Sequence, residues 1–351
     1  MADSDAPRRS GMRQVAVAAG VSTATVSNVI NSPEIVAPET RRRVEEAMTR
    51  VGFVRNGAAR QLRGIPSSVV GAVLLDLANP FYGEVSRGVE DRVTEAGCML
   101  MLCSNDAQVT KETQHLRVLE EHGVRGVLVA PAAARLDALA ALAKRGTPVV
   151  LLDHPQERTS LCAVTVDNVL GGRLAAQHVI ELGHHRIAFL HSSLGARQSV
   201  QRREGIHQAL HEAGLDPAAA LVEVDIPPPD IAGGADAALD ALLTGPRQPT
   251  ALLCFNDIAA LGVLRGLRRL GLSVPGEISV VGYDDVQFAA ELAPALTTIR
   301  QPKYELGRAA ADLLLDESRP GHRHHEILLR PSLVVRGSTA AAALPAGSTA
   351  P

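Results

Sequence analysis

Apolar residues recur at three- and four-residue spacing over the first fifty positions, then give way to short aliphatic runs separated by amphipathic stretches. Val15, Ala18 and Ala19 sit at i, i+3, i+4. Val26, Val29 and Ile30 repeat the spacing, and Val44, Ala47, Met48 and Val51 repeat it again. Each set lays one apolar stripe along a helix. Gly20 interrupts the first run, and Gly52 ends the third as a C′ residue. Ser22 stands where its hydroxyl can cap the second helix. Three short helices, the first two joined by a tight glycine turn, predict a compact helical head over residues 1–55. Residues 56–62 are helix-capable but too short to be stable alone in water, so they need a partner surface. The following Gly-Ile-Pro-Ser-Ser reads as a linker ending at Ser68.

Beyond Ser68 the pattern becomes strand, helix, glycine, strand. Apolar runs at 69–75, 99–103, 126–130, 149–152, 187–191, 221–224, 251–254 and 278–281 alternate with amphipathic segments. Those segments end in Gly97, Gly123, Gly146, Gly183, Gly214 and Gly271, each placed to close a helix in left-handed conformation. Repeated βα units of this kind predict parallel sheets flanked by helices. The runs are too many for one sheet, so the expected fold is α/β with two lobes behind the all-α head. Residues 164–167 and 297–301 are the expected crossings. The first lobe is then 69–163 with 298–323, the second 164–297 with 324–339, and 340–351 a flexible tail.

Composition narrows the class. The chain has 351 residues, 46% of them hydrophobic, enough for sizeable cores. No window offers the roughly 18 uncharged apolar residues of a membrane span. No apolar run follows Arg8-Arg9-Ser10, so the sequence reads as cytoplasmic rather than exported. Cys98, Cys103, Cys162 and Cys254 form no Cys-x-x-Cys pair and read as buried free thiols. Net charge is −3, yet residues 1–66 hold ten Arg against six Asp and Glu, which leaves a basic front on an acidic body. That asymmetry suits a protein whose front alone meets a polyanion.

Ligands of open parallel sheets bind beyond the C-terminal ends of the strands. The residues there are Asp76, Asn79, Pro80, Phe81 and Tyr82; Asp153; Ser192 and Ser193; Asn256 and Asp257; Tyr283, Asp284 and Asp285, with Arg202 a little further on. Carboxylates, amides and an arginine around an aromatic face suit a polyol or a heterocycle. The competing reading is that each Asp or Asn only caps the next helix. No phosphate-binding loop, nucleophile elbow or zinc-protease motif is present, so no catalytic set and no cofactor are implied. His184-His185 and His322, His324 and His325 read as surface loop histidines rather than a metal site.

The stretch Gln14-Val-Ala-x-x-Ala-Gly-Val-Ser-x-x-Thr-Val-Ser-Asn-Val-Ile-Asn31 resembles the helix-turn-helix of the LacI/GalR family of bacterial regulators. So do Arg43-Val-Glu-Glu-Ala-Met48 and Gly52-Phe-Val-Arg-Asn56. In the body the resemblance continues through Asn79-Pro-Phe-Tyr82, Leu182-Gly-His-x-x-Ile-Ala188, Asn256-Asp-x-x-Ala-x-Gly262, Val281-Gly-Tyr-Asp-Asp285 and Pro294-Ala-Leu-Thr-Thr-Ile-Arg-Gln-Pro302. Gly11 and Gln14 depart from the family's usual helix start.

The resemblance implies a sensor like a periplasmic binding protein behind a DNA-binding head. It places Thr23, Ala24 and Asn28 at base edges in the major groove, with Ser22, Thr25, Ser27 and Asn31 on phosphates. Asn56, Ala59, Leu62 and Arg63 fall on a hinge helix whose paired copies enter the minor groove, Leu62 as its wedge. Effector contacts fall on Phe81, Tyr82, Asp153, Arg202, Asn256 and Asp284. The implied protein is a repressor that binds palindromic operator DNA as a homodimer and is controlled by a small molecule. That molecule is a sugar first, with a purine or nucleoside as the alternative. A transport-type solute-binding protein and a sugar-metabolising enzyme share the sensor fold. The helical head argues against the former and the missing catalytic set against the latter.

Overall fold

The structure is a computed structural model, and it describes residues 11–54, 67–132, 136–156, 160–192, 196–227, 230–245, 248–317, 319 and 321–342. The chain divides into two compact units, Met1–Pro66 and Ser67–Pro351. The hinge residues Asn56, Ala59, Leu62 and Arg63 lie outside the described residues.

The first unit carries α1 (Met12–Ala19), α2 (Thr23–Asn31), a 3-10 turn at Pro33–Ile35 and α3 (Pro38–Arg50). The three apolar stripes meet in one small core of Val15, Ala16, Ala19, Val26, Val29, Val44 and Ala47. Gly20 closes α1 at φ 63°, the left-handed turn its position predicts. Ser22 caps α2, accepting from the Thr25 amide at 3.0 Å. The start of α1 resolves the departure at Gly11 and Gln14. Gly11 is the N-cap, and its amide donates to Gln14 Oε1 at 2.9 Å, so glutamine satisfies an otherwise orphan donor. Arg43 on α3 donates to the Ala19 carbonyl at 2.8 Å and so holds the α1–α2 turn.

The second unit begins β1 (Val69–Leu74), α4 (Pro80–Glu95), β2 (Met99–Ser104), α5 (Val109–Glu121), β3 (Val127–Val129), α6 (Asp137–Lys144), β4 (Val149–Leu152), β5 (Cys162–Val166). It continues α7 (Asn168–Glu181), β6 (Ile187–His191), α8 (Ala196–Glu212), α9 (Pro217–Ala220), β7 (Leu221–Asp225), α10 (Ile231–Thr244), β8 (Ala251–Cys254), α11 (Asp257–Arg269), β9 (Ser279–Asp284). After β10 (Thr297–Arg300) come α12 (Lys303–Asp316), β11 (Glu326–Leu329) and β12 (Ser332–Val334). The strands form two six-stranded sheets, ordered β11-β5-β4-β3-β1-β2 and β12-β10-β9-β8-β6-β7. Strand order reverses beside β1 in one and beside β6 in the other, which opens a crevice at the C-terminal end of each. The six helix-closing glycines all have positive φ, from 57° at Gly123 to 100° at Gly146.

Helices pack closely where glycine removes a side chain. A Cβ on Gly172 of α7 would stand 2.0 Å from the Arg202 carbonyl oxygen of α8. One on Gly205 of α8 would stand 1.9 Å from the Val169 carbonyl oxygen of α7. The same reciprocal pairing joins α4 and α12, where Gly88 meets the Tyr304 carbonyl and Gly307 that of Val85.

Several expectations need refinement. The segment 324–339 does not belong to one lobe: β11 pairs with β5 in the first sheet, and β12 pairs with β10 in the second. The crossings fall at the ends of the expected stretches, at Asp167 directly after β5 and at Gln301 directly after β10. β12 is antiparallel to β10, so the second sheet is not purely parallel. Short edge strands such as β11 have only one protected face, so they lack the continuous apolar run that marks a buried strand. The expected tail at 340–351 is tied down at its start. Ala340 accepts from His184 Nε2 at 3.0 Å, and the Ala342 amide donates to Leu182 at 2.8 Å. His184 is accordingly buried, not a surface histidine.

Candidate functional site

Strand ends from both sheets converge on one cleft, lined by Asp76, Asn79, Phe81, Tyr82, Asp153, Arg202, Asn256 and Asp284. All six expected effector residues are among them. The capping alternative holds for two positions. Asn79 caps α4 through the Phe81 amide at 2.9 Å, and Asn256 caps α11 through the Ala259 amide at 2.8 Å. Asp153 and Asp284 cap nothing. Both stand in positive-φ backbone, at 52° and 113° respectively. Non-glycine residues held there are uncommon and tend to mark sites where strain serves a function.

Asp153 is 5% exposed, and its Oδ1 has no hydrogen-bond partner. Its other oxygen accepts from Gln198 Nε2 at 3.1 Å. Burial raises its carboxyl to about 7, against the pull of Arg202 and Gln198. Asp284 is held by Gln301 Nε2 at 2.7 Å, and burial pushes its carboxyl above the ordinary range too. Gln301 Oε1 is a second buried acceptor without a partner. The cleft therefore presents buried acceptors that donor groups on a guest can satisfy.

Arg202 is the cleft's cation. Its Nε donates to Asn168 Oδ1 at 2.9 Å, another nitrogen donates to the Phe255 carbonyl, and its guanidinium lies 3.5 Å from the Tyr283 ring centroid. Tyr283 in turn donates to Asn168 at 3.3 Å. Phe81 and Tyr82 meet edge to face with centroids 5.0 Å apart and supply the apolar wall. Sequence reading missed Gln198 and Gln301. One lies in the first turn of α8 and the other just after β10, so neither ends a recognisable apolar run.

On α2, Val26 and Val29 point into the head core, which leaves Ser22, Thr23, Ala24, Asn28 and Asn31 exposed. Thr25 and Ser27 are half-buried and engaged locally. Thr25 Oγ1 lies 2.9 Å from Ser22 Oγ, and Asn31 Nδ2 donates to Ser27 Oγ at 3.1 Å. The exposed face is short and polar, and Arg41, Arg42, Arg43 and Arg50 lie exposed on α3.

A small helix-turn-helix joined in sequence to a two-sheet module with a polar cleft defines a ligand-sensing DNA-binding regulator. Comparison with known proteins agrees. Residues 11–56 match the model for bacterial regulatory proteins of the lacI family, and residues 176–339 match a periplasmic binding protein-like domain. The chain is 33% identical over 330 residues to the transcriptional repressor PurR of Aliivibrio salmonicida, covering 93% of this chain and 98% of that one. It is 34% identical to the ribose operon repressor of Escherichia coli, covering 93% and 99%. Among solved structures, the lac repressor dimer bound to operator and the anti-inducer ONPF superposes with a TM-score of 0.83 at 28% identity, covering 95% and 100%. A LacI family regulator from Enterococcus faecium with bound ribose superposes at 0.71 with 32% identity, covering 78% and 99%. The chain belongs to the lacI family of bacterial transcription regulators. Neither family match is to a group of enzymes, and among the described residues no helix is long and apolar enough to cross a membrane.

Proposed function

We propose that this chain is a cytoplasmic repressor that binds a palindromic operator as a homodimer, acts by binding rather than turnover, and answers to a sugar in the cleft. The observation that carries the effector reading is the buried, unpartnered Asp153 Oδ1. Two raised carboxylates, an amide acceptor and one arginine beside an aromatic wall match the alternating hydroxyls and apolar face of a pyranose or furanose. A solved relative of this fold holds ribose, and another is a complex of a regulator with cellobiose. Phe81, Tyr82, Asp153, Arg202, Asn256 and Asp284 form the effector set.

Ser22, Thr23, Ala24, Thr25, Ser27, Asn28 and Asn31 face DNA, and Asn56, Ala59, Leu62 and Arg63 form the minor-groove hinge. Self-association is supported by the β2 edge, where Met99, Met101 and Leu102 are 62%, 45% and 41% exposed. An open apolar edge strand of that kind is a pairing surface.

A thermal-shift screen of sugars, sugar phosphates and purines on the full chain tests the effector class. A ligand at a hundredfold excess over Kd stabilises by about 2.7 kcal/mol. The expected hit is a sugar, abolished by Asp153→Asn or Asp284→Ala; a purine as the sole hit sinks the sugar reading. Leu62→Ala should weaken operator binding and leave effector affinity unchanged. Titration calorimetry showing lost effector affinity in that variant contradicts the assignment of Leu62 to DNA.

A further inference from the structure

Cys162, Glu317, His322 and His324 bring one thiol, one carboxylate and two imidazoles together, with their donor atoms all within 4.8 Å of one another. Cys162 opens β5 and is fully buried. Glu317 follows α12, and the two histidines lie in the connection to β11. Cys162 Sγ is 3.1 Å from His322 Nε2 and 3.8 Å from His324 Nδ1. Glu317 Oε1 is 3.5 Å from His322 Nε2 and 3.1 Å from His324 Nδ1.

A tetrahedral zinc ion with ordinary bonds to sulfur, nitrogen and oxygen sets its donors about 3.3–3.6 Å apart. The four distances straddle that range, so small side-chain movements suffice to seat an ion. The outer contacts are also those of a metal site. Asp316 Oδ2 lies 3.0 Å from His322 Nδ1. A proton on Nδ1, donated to that carboxylate, leaves the Nε2 lone pair aimed at the cluster, the usual support of a metal-bound histidine. His322 and Glu317 side chains are only 6% and 9% exposed, whereas His324 is 39% exposed and gives an ion its way in. His322 is thus enclosed rather than a surface histidine, while His324, in the same loop, is exposed as its sequence context suggests.

We propose that Cys162, Glu317, His322 and His324 form a structural transition-metal site, with zinc as the ion its ligand set suits best. Four protein ligands fill a tetrahedron and leave no open position for catalysis. The ion staples the end of α12 and the start of β11 to the first residue of β5, across about 155 residues of chain. Cys162 binds as thiolate, its proton passing to solvent. Because it begins a parallel strand, the site lies at the end of the first sheet away from the effector cleft.

The test is cobalt titration of the metal-free full chain. The expected result is one equivalent bound, with a thiolate-to-cobalt charge-transfer band in the near ultraviolet and the strong visible bands of tetrahedral cobalt. Stoichiometric zinc should bleach both. Cys162→Ser should abolish the charge-transfer band, and Cys103→Ser should keep it. Asp316→Asn should weaken affinity about 10–100-fold. His324→Ala, on the exposed side of the cluster, keeps the test informative if Cys162→Ser fails to fold; it should lose the tetrahedral bands. No charge-transfer band in the native chain, a band that survives Cys162→Ser, or only the weak spectrum of octahedral cobalt overturns the proposal.

Discussion

On α2, Val26 and Val29 fill the head core while Thr23, Ala24 and Asn28, on the other side of the same helix, face water. In the cleft, Asp153, Arg202 and Asp284 are no more than 5% exposed and are themselves part of the packing. The head separates what it recognises with from what holds it together. The cleft uses the same residues for both. A guest in the cleft meets buried acceptors that the protein leaves unfilled, which gives the site selectivity. A long polyanion can be met by a surface that folds without it.

Four substitutions test that contrast, from the largest expected effect to the smallest. Gly172→Ala drives a methyl into the Arg202 backbone, so α7 and α8 must part. Denaturant unfolding should show a loss of about 3 kcal/mol, together with loss of effector response. A variant that unfolds earlier yet still responds normally breaks the link between packing and site.

Next is the pH dependence of Asp153. Its folded carboxyl titrates near 7 and an unfolded one near 3.9. The native state thus holds an extra proton between those values, and the stability this confers at low pH is lost as pH rises through 7. Half-buried His178 and buried His184, whose pKa values are lowered by desolvation, act in the opposite sense, losing stability as pH falls through about 6.5. The informative quantity is therefore the difference between Asp153→Asn and the native chain. It should move in the variant's favour by roughly 2 kcal/mol between pH 5 and pH 8. A flat difference in paired unfolding curves means that Asp153 is ionised throughout.

Ser22→Ala removes the α2 cap and should cost the head about 1 kcal/mol, read as faster hydrogen exchange at the Thr25 and Val26 amides. Asn28→Ala should change stability by less than about 0.5 kcal/mol and operator affinity by about tenfold or more. A large stability loss at Asn28 would erase the distinction between the two units.

Local signals were legible in the sequence. The glycines at 20, 97, 123, 146, 183, 214 and 271 adopt the left-handed backbone that their places after apolar stripes require. The strand-end rule led to Asp153 and Asp284, and only the backbone separates them from the helix-capping Asn79 and Asn256. What escaped depends on contacts between distant segments. Gln198 reaches Asp153 across the cleft from a helix, and Gln301 reaches Asp284 from the next strand. Cys162 and His322 are 160 positions apart, and no spacing motif connects them. β11 and β12 lie in a segment expected to belong to one lobe, yet they go to different sheets, and which edge each joins is set by partners far away in sequence.

The interleaving of the last two strands also bears on how the protein is made. The first sheet lacks an edge until residue 329 has been synthesised, and the second until residue 334. Neither half of the sensor can be completed early and set aside while the other is translated. Both wait, nearly assembled, for the same closing stretch. A message cut short before that stretch yields two unfinished sheets rather than one sound half and one broken one. Truncated copies should therefore be cleared as misfolded chains, and should not persist as DNA-binding proteins that have lost only part of their control.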